Sequence, residues 1–154
     1  MSATAPARYV GVAADVPAAD WRAAVRAAAG MLLAAGVARA SYVERCVAMV
    51  EENGPYIVIA PGIALAHARP EDGAVAPGLS LTRLRTPVAF GHPDNDPVDL
   101  VFAFCSPGTV GHVKLLAALG VALKAGLDSR LRAAPGEAQL RQILEEALNG
   151  NHDN

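Results

Sequence analysis

The sequence predicts an α/β fold in which α-helices flank a mixed β-sheet within a single domain. Three observations support this prediction. The chain has 154 residues, a length that indicates one compact domain. Its periodic segments run in the order helices, several strands and helices again, which is typical of a sheet covered by helices. The run at 98–104 is almost continuously apolar, as expected of a central strand.

The first segments of the chain predict a strand followed by a helix. Residues 9–13 fit a short strand. The segment 15–17 predicts the start of a helix, with Pro17 near its first turn, where proline is well tolerated. Gly36 predicts the end of this helix, because glycine is favoured just after a helix C-terminus.

A second helix and two extended pieces follow. Ser41 and Glu44 form the S-x-x-E pattern of a capping box, which predicts a helix start at this point. The helix is expected to stop at 53–54, where Asn-Gly interrupts the pattern. The apolar runs at 56–60 and 63–66 are then predicted to be a strand and a second extended segment, separated by a Pro-Gly turn.

The second half of the chain predicts the remaining strands and two helices. Residues 79–84 begin with strand-like alternation, and 87–90 continue as a short extended piece. The sequence HPDNDP at 92–97 predicts a turn before the central strand. Helices are expected at about 110–125 and 136–148 from their apolar faces.

Composition and charge exclude several classes of protein. The chain is 53% hydrophobic and 18% charged, which disfavours disorder of its body. The formal net charge is -2, so no surplus of basic residues supports nucleic-acid binding. No uninterrupted apolar run is long enough to span a bilayer, and the N-terminus lacks the pattern of a signal peptide. We therefore expect a cytoplasmic protein that does not insert into a membrane.

Two cysteines, Cys46 and Cys105, lie far apart and each within an apolar stretch. This placement predicts reduced, buried thiols in a cytosolic protein. A disulfide is the alternative with less support, and neither cysteine has the spacing of a metal ligand.

His67 is the strongest candidate for chemistry. It comes directly after the apolar segment 63–66, between the small residues Ala66 and Ala68, and Arg69 is two residues away. A neutral imidazole is a good nucleophile near neutral pH, and small neighbours let a partner approach its ring. A structural histidine at the end of a strand is the alternative that the sequence alone leaves open.

His112 adds weight to this candidate site. It follows the sequence SPGTVG at 106–111, directly after the predicted central strand and at the start of a predicted helix. Helix N-termini favour anions such as phosphate, because their backbone N–H groups lack partners. His67 and His112 would then lie at the ends of two strands of one sheet, where ligands of α/β proteins commonly bind.

Other chemistries have weaker support. His92 begins the turn at 92–97 and is interpreted as a turn residue paired with a carboxylate. A metal site of His67, His92 and His112 has no spacing signal. A Ser/His/Asp triad stays open, but the chain has no G-x-S-x-G motif, no P-loop and no dinucleotide-binding fingerprint. His152 lies in a polar C-terminal segment and is given no role.

The combined motifs resemble a known family. GPYIVIAPGIALAHARPEDG, GLSLTRL, FGHPDNDPVDLVFAFCSP and GHVKLLAAL are similar to the enzyme IIA domains of the mannitol/fructose type in the bacterial phosphoenolpyruvate-dependent sugar phosphotransferase system. The segments PYIVIAPGIA, HARPEDG and HPDNDPVDL look most like the ascorbate-type members. The resemblance runs from about Trp21 to the last helix. It implies a single enzyme IIA-like domain over 9–149, between a disordered tail at 1–8 and a loose tail at 150–154.

The resemblance implies a phosphocarrier with a phosphohistidine intermediate. The family's phosphorylated histidine falls on His67, and its second active-site histidine, which stabilises the phosphoryl group, falls on His112. The donor would be the phosphorylated carrier HPr. The acceptor would be an enzyme IIB, which serves a membrane enzyme IIC in sugar uptake, with ascorbate as the candidate sugar. No cofactor or metal is implied.

Two positions depart from the family's pattern. Ala66 stands where the family usually has a proline before the active histidine, and 50–53 lacks the arginine of mannitol-type members. Arg69 is therefore our candidate for the guanidinium that contacts the phosphoryl group. A regulatory enzyme IIA-like protein that signals through its phosphorylation state is the first alternative. A binding module that has lost phosphotransfer is the second, and the presence of both His67 and His112 argues against it.

Overall fold

The computed structural model describes residues 9–150, apart from the side chains of Thr109, Val110, His112 and Gly150. The strands are β1 (Tyr9–Val16), β2 (Val58–Ala60), β3 (Ile63–Ala66), β4 (Gly78–Val88) and β5 (Val98–Cys105). The helices are α1 (Trp21–Ala34), α2 (Ala40–Asn53), α3 (Thr109–Lys124), α4 (Leu127–Ala133) and α5 (Glu137–Gly150), with a 3₁₀ turn at Pro70–Asp72. The expected tail at 1–8 lies outside the described residues, as do residues 151–154 of the tail expected at 150–154, among them His152.

The strands form one mixed five-stranded sheet in the order β1-β4-β5-β3-β2. β1 runs parallel to β4, and β3 runs parallel to β5. The β4–β5 and β2–β3 pairs are antiparallel. The predicted fold, a mixed sheet flanked by helices in one domain, is confirmed. The parallel pairing brings the carboxyl ends of β3 and β5 to the same edge of the sheet.

The two faces of the sheet bury two separate cores. Val101, Ala103 and Cys105 of β5 face the core that α1 and α2 cover, whereas Phe102 and Phe104 face the core beneath α3, α4 and α5. This alternation follows from the two-residue period of a strand. The continuous apolar run of β5 therefore results from burial on both faces.

The first helix starts later than the sequence predicts. β1 continues to Val16, which pairs with Leu84 of β4, so the segment 15–17 belongs to the end of the strand and the connection. α1 begins at Trp21 because Asp20 caps it: the Asp20 side chain accepts a hydrogen bond of 2.9 Å from the Ala23 N–H.

The predicted capping box of the second helix is wrong. The N-cap of α2 is Arg39, which makes no side-chain capping bond. Ser41 Oγ instead donates to the backbone carbonyl of Asp72, at 2.9 Å, and Glu44 pairs with Arg26 of α1, at 3.1 Å. Tertiary partners have thus replaced the local capping bonds, and Ser41 attaches α2 to the 3₁₀ turn that follows β3.

Two further differences concern regions of weak sequence signal. The extended pieces predicted at 79–84 and 87–90 form the single strand β4, whose pairing with β5 is irregular between Arg83 and Val88. The short helix α4 was not predicted, because only Leu127 and Leu131 of its turns are fully buried. Arg83 Nη1 donates to the carbonyls of Leu131 and Ala134, at 2.8 and 2.7 Å, and so caps the end of α4.

Candidate active site

His67 follows β3 directly, at the carboxyl end of the strand. Successive side chains of a strand point to opposite faces: Leu65 belongs to the core under α3–α5, and Ala66 to the core under α1 and α2. The same alternation directs His67 toward the α3–α5 face, where its ring meets Phe104 of the neighbouring strand. The imidazole is thus held at the edge of the sheet where β3 and β5 end.

The hydrogen bonding of His67 determines its tautomer. Nδ1 lies 3.0 Å from the backbone carbonyl oxygen of Leu65. A carbonyl oxygen only accepts hydrogen bonds, so Nδ1 must carry the proton and donate it. In the neutral ring the nucleophilic lone pair then belongs to Nε2. The orienting group is a backbone carbonyl, and not the carboxylate that a Ser/His/Asp triad places at this position.

Two aromatic side chains hold the half-buried His67 ring. Phe104 stacks against it, with ring centroids 5.4 Å apart and an angle of 25° between the planes. Tyr56, which is 42% exposed, approaches it edge-on, with centroids 5.9 Å apart and an angle of 82°. Both geometries are favourable for aromatic pairs. They restrict the ring's rotation beyond what the hydrogen bond at Nδ1 achieves.

Tyr42, which the sequence did not single out, has its hydroxyl beneath the site. This residue of α2 is 1% exposed. Its hydroxyl donates to the carbonyl of Phe104, at 2.7 Å, and accepts from the N–H of Ala68, at 3.1 Å. Burial raises the pKa of the Tyr42 phenol, so it stays protonated at neutral pH. The available signal was a tyrosine on the apolar face of a predicted helix, because a buried phenol requires a polar partner.

The end of β5 leads into α3 through a short turn. Ser106 is buried, and its Oγ donates to the carbonyl of Gly108, at 3.1 Å. Gly108 is the N-cap of α3 in extended conformation, with φ -116° and ψ 148°. His112 lies in the first turn of α3, which begins at Thr109, but its side chain is outside the described part of the structure. The backbone therefore brings the first turn of α3 to the sheet edge that carries His67.

Arg69 lies at the start of the 3₁₀ turn just beyond His67. Its backbone N–H donates to Asp72 Oδ2, at 3.0 Å, and its side chain is exposed. The nearby ion pairs use Arg45 of α2, which lies 3.3 Å from Glu52 and 3.9 Å from Asp72. The turn thus has a fixed backbone, while the Arg69 guanidinium extends toward solvent.

His92 has a structural role in its turn, with a partner different from the one predicted. Its Nδ1 accepts hydrogen bonds from the backbone N–H groups of Asp94 and Asn95, both at 3.1 Å. Of the two carboxylates beside it, Asp96 accepts a hydrogen bond from the backbone N–H of His92, at 3.0 Å, and not from its ring. Since this turn precedes β5 and pairs with the start of β3 through Gly62, His92 lies at the opposite edge of the sheet from His67. The two histidines cannot share a metal ion.

Both cysteines are unpaired thiols in the core that α1 and α2 cover, as predicted. Burial raises the pKa of each thiol to about 12. At neutral pH they therefore lack the thiolate character that nucleophilic catalysis or metal binding requires.

The described residues offer neither a metal-binding cluster nor a membrane-spanning helix. Within 9–150, apart from the four side chains named above, no cluster of three or more His, Cys, Asp or Glu side chains could hold a metal ion. In the same part of the chain, no helix has both the length and the apolar character needed to cross a membrane.

The fold agrees with a family assignment. The family model for EIIA 2 of the phosphoenolpyruvate-dependent sugar phosphotransferase system matches residues 9–147. The chain belongs to this EIIA family. It is therefore an enzyme IIA, a phosphotransferase component of a sugar transport system, and the family predicted from its motifs is confirmed.

Individual relatives agree with this assignment. The enzyme IIA is 35% identical to the ascorbate-specific PTS system EIIA component of Escherichia coli strain K12 over 127 residues, which are 81% of this chain and 82% of the relative. Its structure is similar to that of the mannitol-specific cryptic phosphotransferase enzyme IIA CmtB from Escherichia coli, with a TM-score of 0.77, 30% identity and coverage of 90% and 92% of the two chains.

A second structure supports the fold alone. It is the complex of mannitol enzyme IIA with phosphorylated mannitol enzyme IIB from Escherichia coli. The similarity has a TM-score of 0.74 at 21% identity, and it covers 90% of this chain and 94% of that chain. The fold predicted for this enzyme IIA is thus found in both structures.

Proposed function

We propose that this enzyme IIA accepts a phosphoryl group on Nε2 of His67 from phosphorylated HPr and passes it to a cysteine of an enzyme IIB. The supporting observation is the 3.0 Å hydrogen bond between His67 Nδ1 and the Leu65 carbonyl. It assigns the ring's proton to Nδ1 and the nucleophilic lone pair to Nε2. The buried strand and the stacked Phe104 ring keep this nitrogen in a constant direction.

The bonds and protons of the phosphoryl transfer balance without a metal or an added proton. The Nε2 lone pair of His67 forms the new N–P bond as the donor's P–N bond breaks. The donor ring, protonated at its other nitrogen, leaves as neutral imidazole. The positive charge that develops on the His67 ring is stabilised by the Leu65 carbonyl at Nδ1. Transfer to enzyme IIB repeats the step with a thiolate as the attacking group, and catalysis consists mainly of alignment and charge stabilisation.

The phosphoryl oxygens need donors, and two elements could supply them. The first N–H groups of α3 have no partner within the helix, and the partial positive charge of a helix N-terminus favours anions. His112 in this first turn is assigned to orientation and stabilisation of the phosphoryl group. Arg69 is assigned to a contact with its oxygens, because its exposed guanidinium lies two residues beyond His67.

The family and its relatives support the proposed partners. HPr is the proposed donor and enzyme IIB the proposed acceptor, which in turn serves a membrane enzyme IIC. The mannitol enzyme IIA of Escherichia coli, which shares this fold, forms a complex with phosphorylated enzyme IIB. Ascorbate is the proposed sugar, because the relative at 35% identity is ascorbate-specific. These reactions would take place in the cytoplasm.

Intact-mass measurement tests the phosphocarrier proposal. The protein is incubated with phosphoenolpyruvate, enzyme I and HPr, and its mass is measured under alkaline conditions. We expect a gain of one phosphoryl group that is lost in acid, as for a phosphohistidine. No gain in the presence of functional HPr would contradict the proposal.

Two variants assign the acceptor. His67→Ala is expected to abolish labelling while the fold, followed by circular dichroism, is retained. His92→Ala is the matched control: it removes an imidazole from the opposite edge of the sheet and should label like the parent. Labelling of a folded His67→Ala protein would assign the phosphoryl group to another residue.

A further inference from the structure

We propose that the Tyr42 hydroxyl is a positioning group for His67, because it joins the two backbone segments between which the imidazole is held. This inference rests on the phosphocarrier function proposed above. Tyr42 is nearly inaccessible, so it acts through the orientation of His67 and not through contact with the phosphoryl group.

The geometry places one oxygen atom against both segments. The Tyr42 hydroxyl donates to the Phe104 carbonyl, at 2.7 Å, and accepts from the Ala68 N–H, at 3.1 Å. The carbonyl of Ala68 is farther away, at 3.3 Å, so the single hydroxyl proton is directed to Phe104. Ala68 is the residue after His67, and Phe104 carries the ring on which His67 stacks. The separation between imidazole and phenyl ring therefore depends on this oxygen.

The hydroxyl lies where the regular sheet pairing has ended. The last paired residues of β3 and β5 are Ala66 and Ala103. Beyond this pair, the Tyr42 oxygen bridges the segments that continue β3 and β5. It takes the place of the next hydrogen bond between the two strands. Its two bonds come from the α2 side of the sheet, whereas the His67 ring lies on the α3–α5 side. Tyr42 can thus hold the site while the opposite face is left to a partner protein.

Removal of the hydroxyl should separate alignment from partner binding. Tyr42→Phe keeps the ring and its packing, but it leaves the Ala68 N–H and the Phe104 carbonyl without their buried partner. Such groups shift to find new partners or water. Because a displacement of 1 Å can cost about 100-fold in rate, we expect a smaller shift to lower kcat for phosphoryl acceptance about 10-fold. KM for phosphorylated HPr should not change, because a buried group on the α2 side makes no contact with HPr.

Ser80→Ala is a matched control. Ser80 is also fully buried, and its Oγ donates to the Ala28 carbonyl of α1, at 2.7 Å, on the same face of the sheet. The substitution removes a buried hydroxyl whose hydrogen bond attaches α1 to the sheet and involves neither Ala68 nor Phe104. It should lower stability and leave kcat unchanged.

The test combines kinetics with nuclear magnetic resonance of the His67 ring nitrogens. We expect Tyr42→Phe to lower kcat at constant KM and to shift the ring-nitrogen signals, whereas Ser80→Ala changes neither. Equal kcat and unchanged ring signals in Tyr42→Phe would overturn the proposal, as would equal rate losses in both variants. If the parent itself is not labelled by HPr, the phosphocarrier function fails. The ring signals of the two variants then decide the positioning role separately.

A second substitution covers the case in which Tyr42→Phe does not fold. Site-specific incorporation of 3-fluorotyrosine at Tyr42 keeps the hydroxyl but makes it a stronger donor and a weaker acceptor. We expect faster hydrogen exchange of the Ala68 amide and altered His67 ring signals. If the ring signals stay unchanged while the Ala68 amide responds, the hydroxyl does not position His67 and the inference is wrong.

Discussion

The two buried thiols should make this enzyme IIA unusually sensitive to alkaline pH. Cys46 is 1% and Cys105 0% exposed, and burial raises the pKa of both from an ordinary value of 9.0 to about 12. Cys105 Sγ also lies 3.4 and 3.3 Å from the carbonyl oxygens of Val37 and Ala76, which would repel a thiolate. The unfolded chain therefore releases these protons at a lower pH than the folded protein.

The direction and size of the effect of pH on the free energy of unfolding follow from this difference in pKa. A raised pKa in the folded state contributes stability that is fully present below pH 9 and is lost as the pH rises toward 12. Between these limits each thiol lowers the free energy of unfolding by about 1.4 kcal/mol per pH unit. At about pH 10.5 the two thiols together have lowered the free energy of unfolding by about 4 kcal/mol. This is a large part of the roughly 5–15 kcal/mol by which a typical domain is stable.

The assay compares the parent with the Cys46→Ala/Cys105→Ala double variant. Urea unfolding is measured from pH 8 to about pH 10.5 with a phosphine reductant present. The double variant should be less stable at pH 8, because each truncation leaves a small cavity. Its free energy of unfolding should nevertheless fall by about 4 kcal/mol less than that of the parent over this range. The same variant should be labelled normally by HPr, because the proposed acceptor is a histidine.

Equal pH dependence of the two proteins would refute the reasoning, since the thiols would then have similar pKa values in the folded and unfolded chains. Reaction of either thiol with a disulfide reagent in the native protein at pH 8, at a rate close to that in the unfolded protein, would have the same meaning. Loss of labelling in a folded double variant would show instead that a cysteine takes part in the chemistry.

Three further predictions concern the site and a turn remote from it. His112→Ala should still accept a phosphoryl group from HPr, but it should transfer the group to enzyme IIB about 10²- to 10³-fold more slowly, which is the usual cost of losing one stabilising donor. Quench-flow transfer rates equal to those of the parent would exclude the role assigned to His112. Arg69→Gln should slow labelling about 10-fold through loss of a charge-assisted contact. Arg45→Gln should not slow it, because the cation that is lost is already paired with Glu52 and Asp72. Equal labelling rates in the two variants would remove Arg69 from the site. Asp96→Ala should lower the free energy of unfolding by about 3 kcal/mol with normal labelling, because its carboxylate accepts hydrogen bonds from three backbone N–H groups; urea unfolding that matches the parent's would contradict this.

The elements that could be predicted are those with strong local periodicity. β5 was predicted because burial on both faces leaves an almost unbroken apolar run. The predicted helix boundaries were wrong where a tertiary contact competes with a local sequence pattern. Ser41 and Glu44 have the spacing of a capping box, but Asp72 and Arg26 offer them partners elsewhere in the fold. Such competition is invisible in a local pattern, because the competing groups come from distant parts of the chain.

The sequence predicted where the candidate residues lie in the fold, but not the contacts that hold them in place. The apolar segment before His67 predicted its place at the end of β3, and the helix start after the central strand predicted the place of His112 in α3. The bond from His67 Nδ1 to the Leu65 carbonyl depends on how the chain turns after β3. The phenol of Tyr42 comes from a helix on the other face of the sheet. Neither contact can be inferred from the spacing of residues in the sequence.

The two-residue period of the strands explains why one site can be both rigid and accessible. At the end of β3, His67 points to the α3–α5 side, and the next residue, Ala68, belongs to the core under α1 and α2. The α2 side can therefore hold the backbone through buried groups such as Tyr42. The α3 side keeps the ring half-buried beside the exposed Tyr56. The proposed phosphocarrier function needs both properties, since its nucleophile would have to keep one geometry while two different proteins approach it in turn.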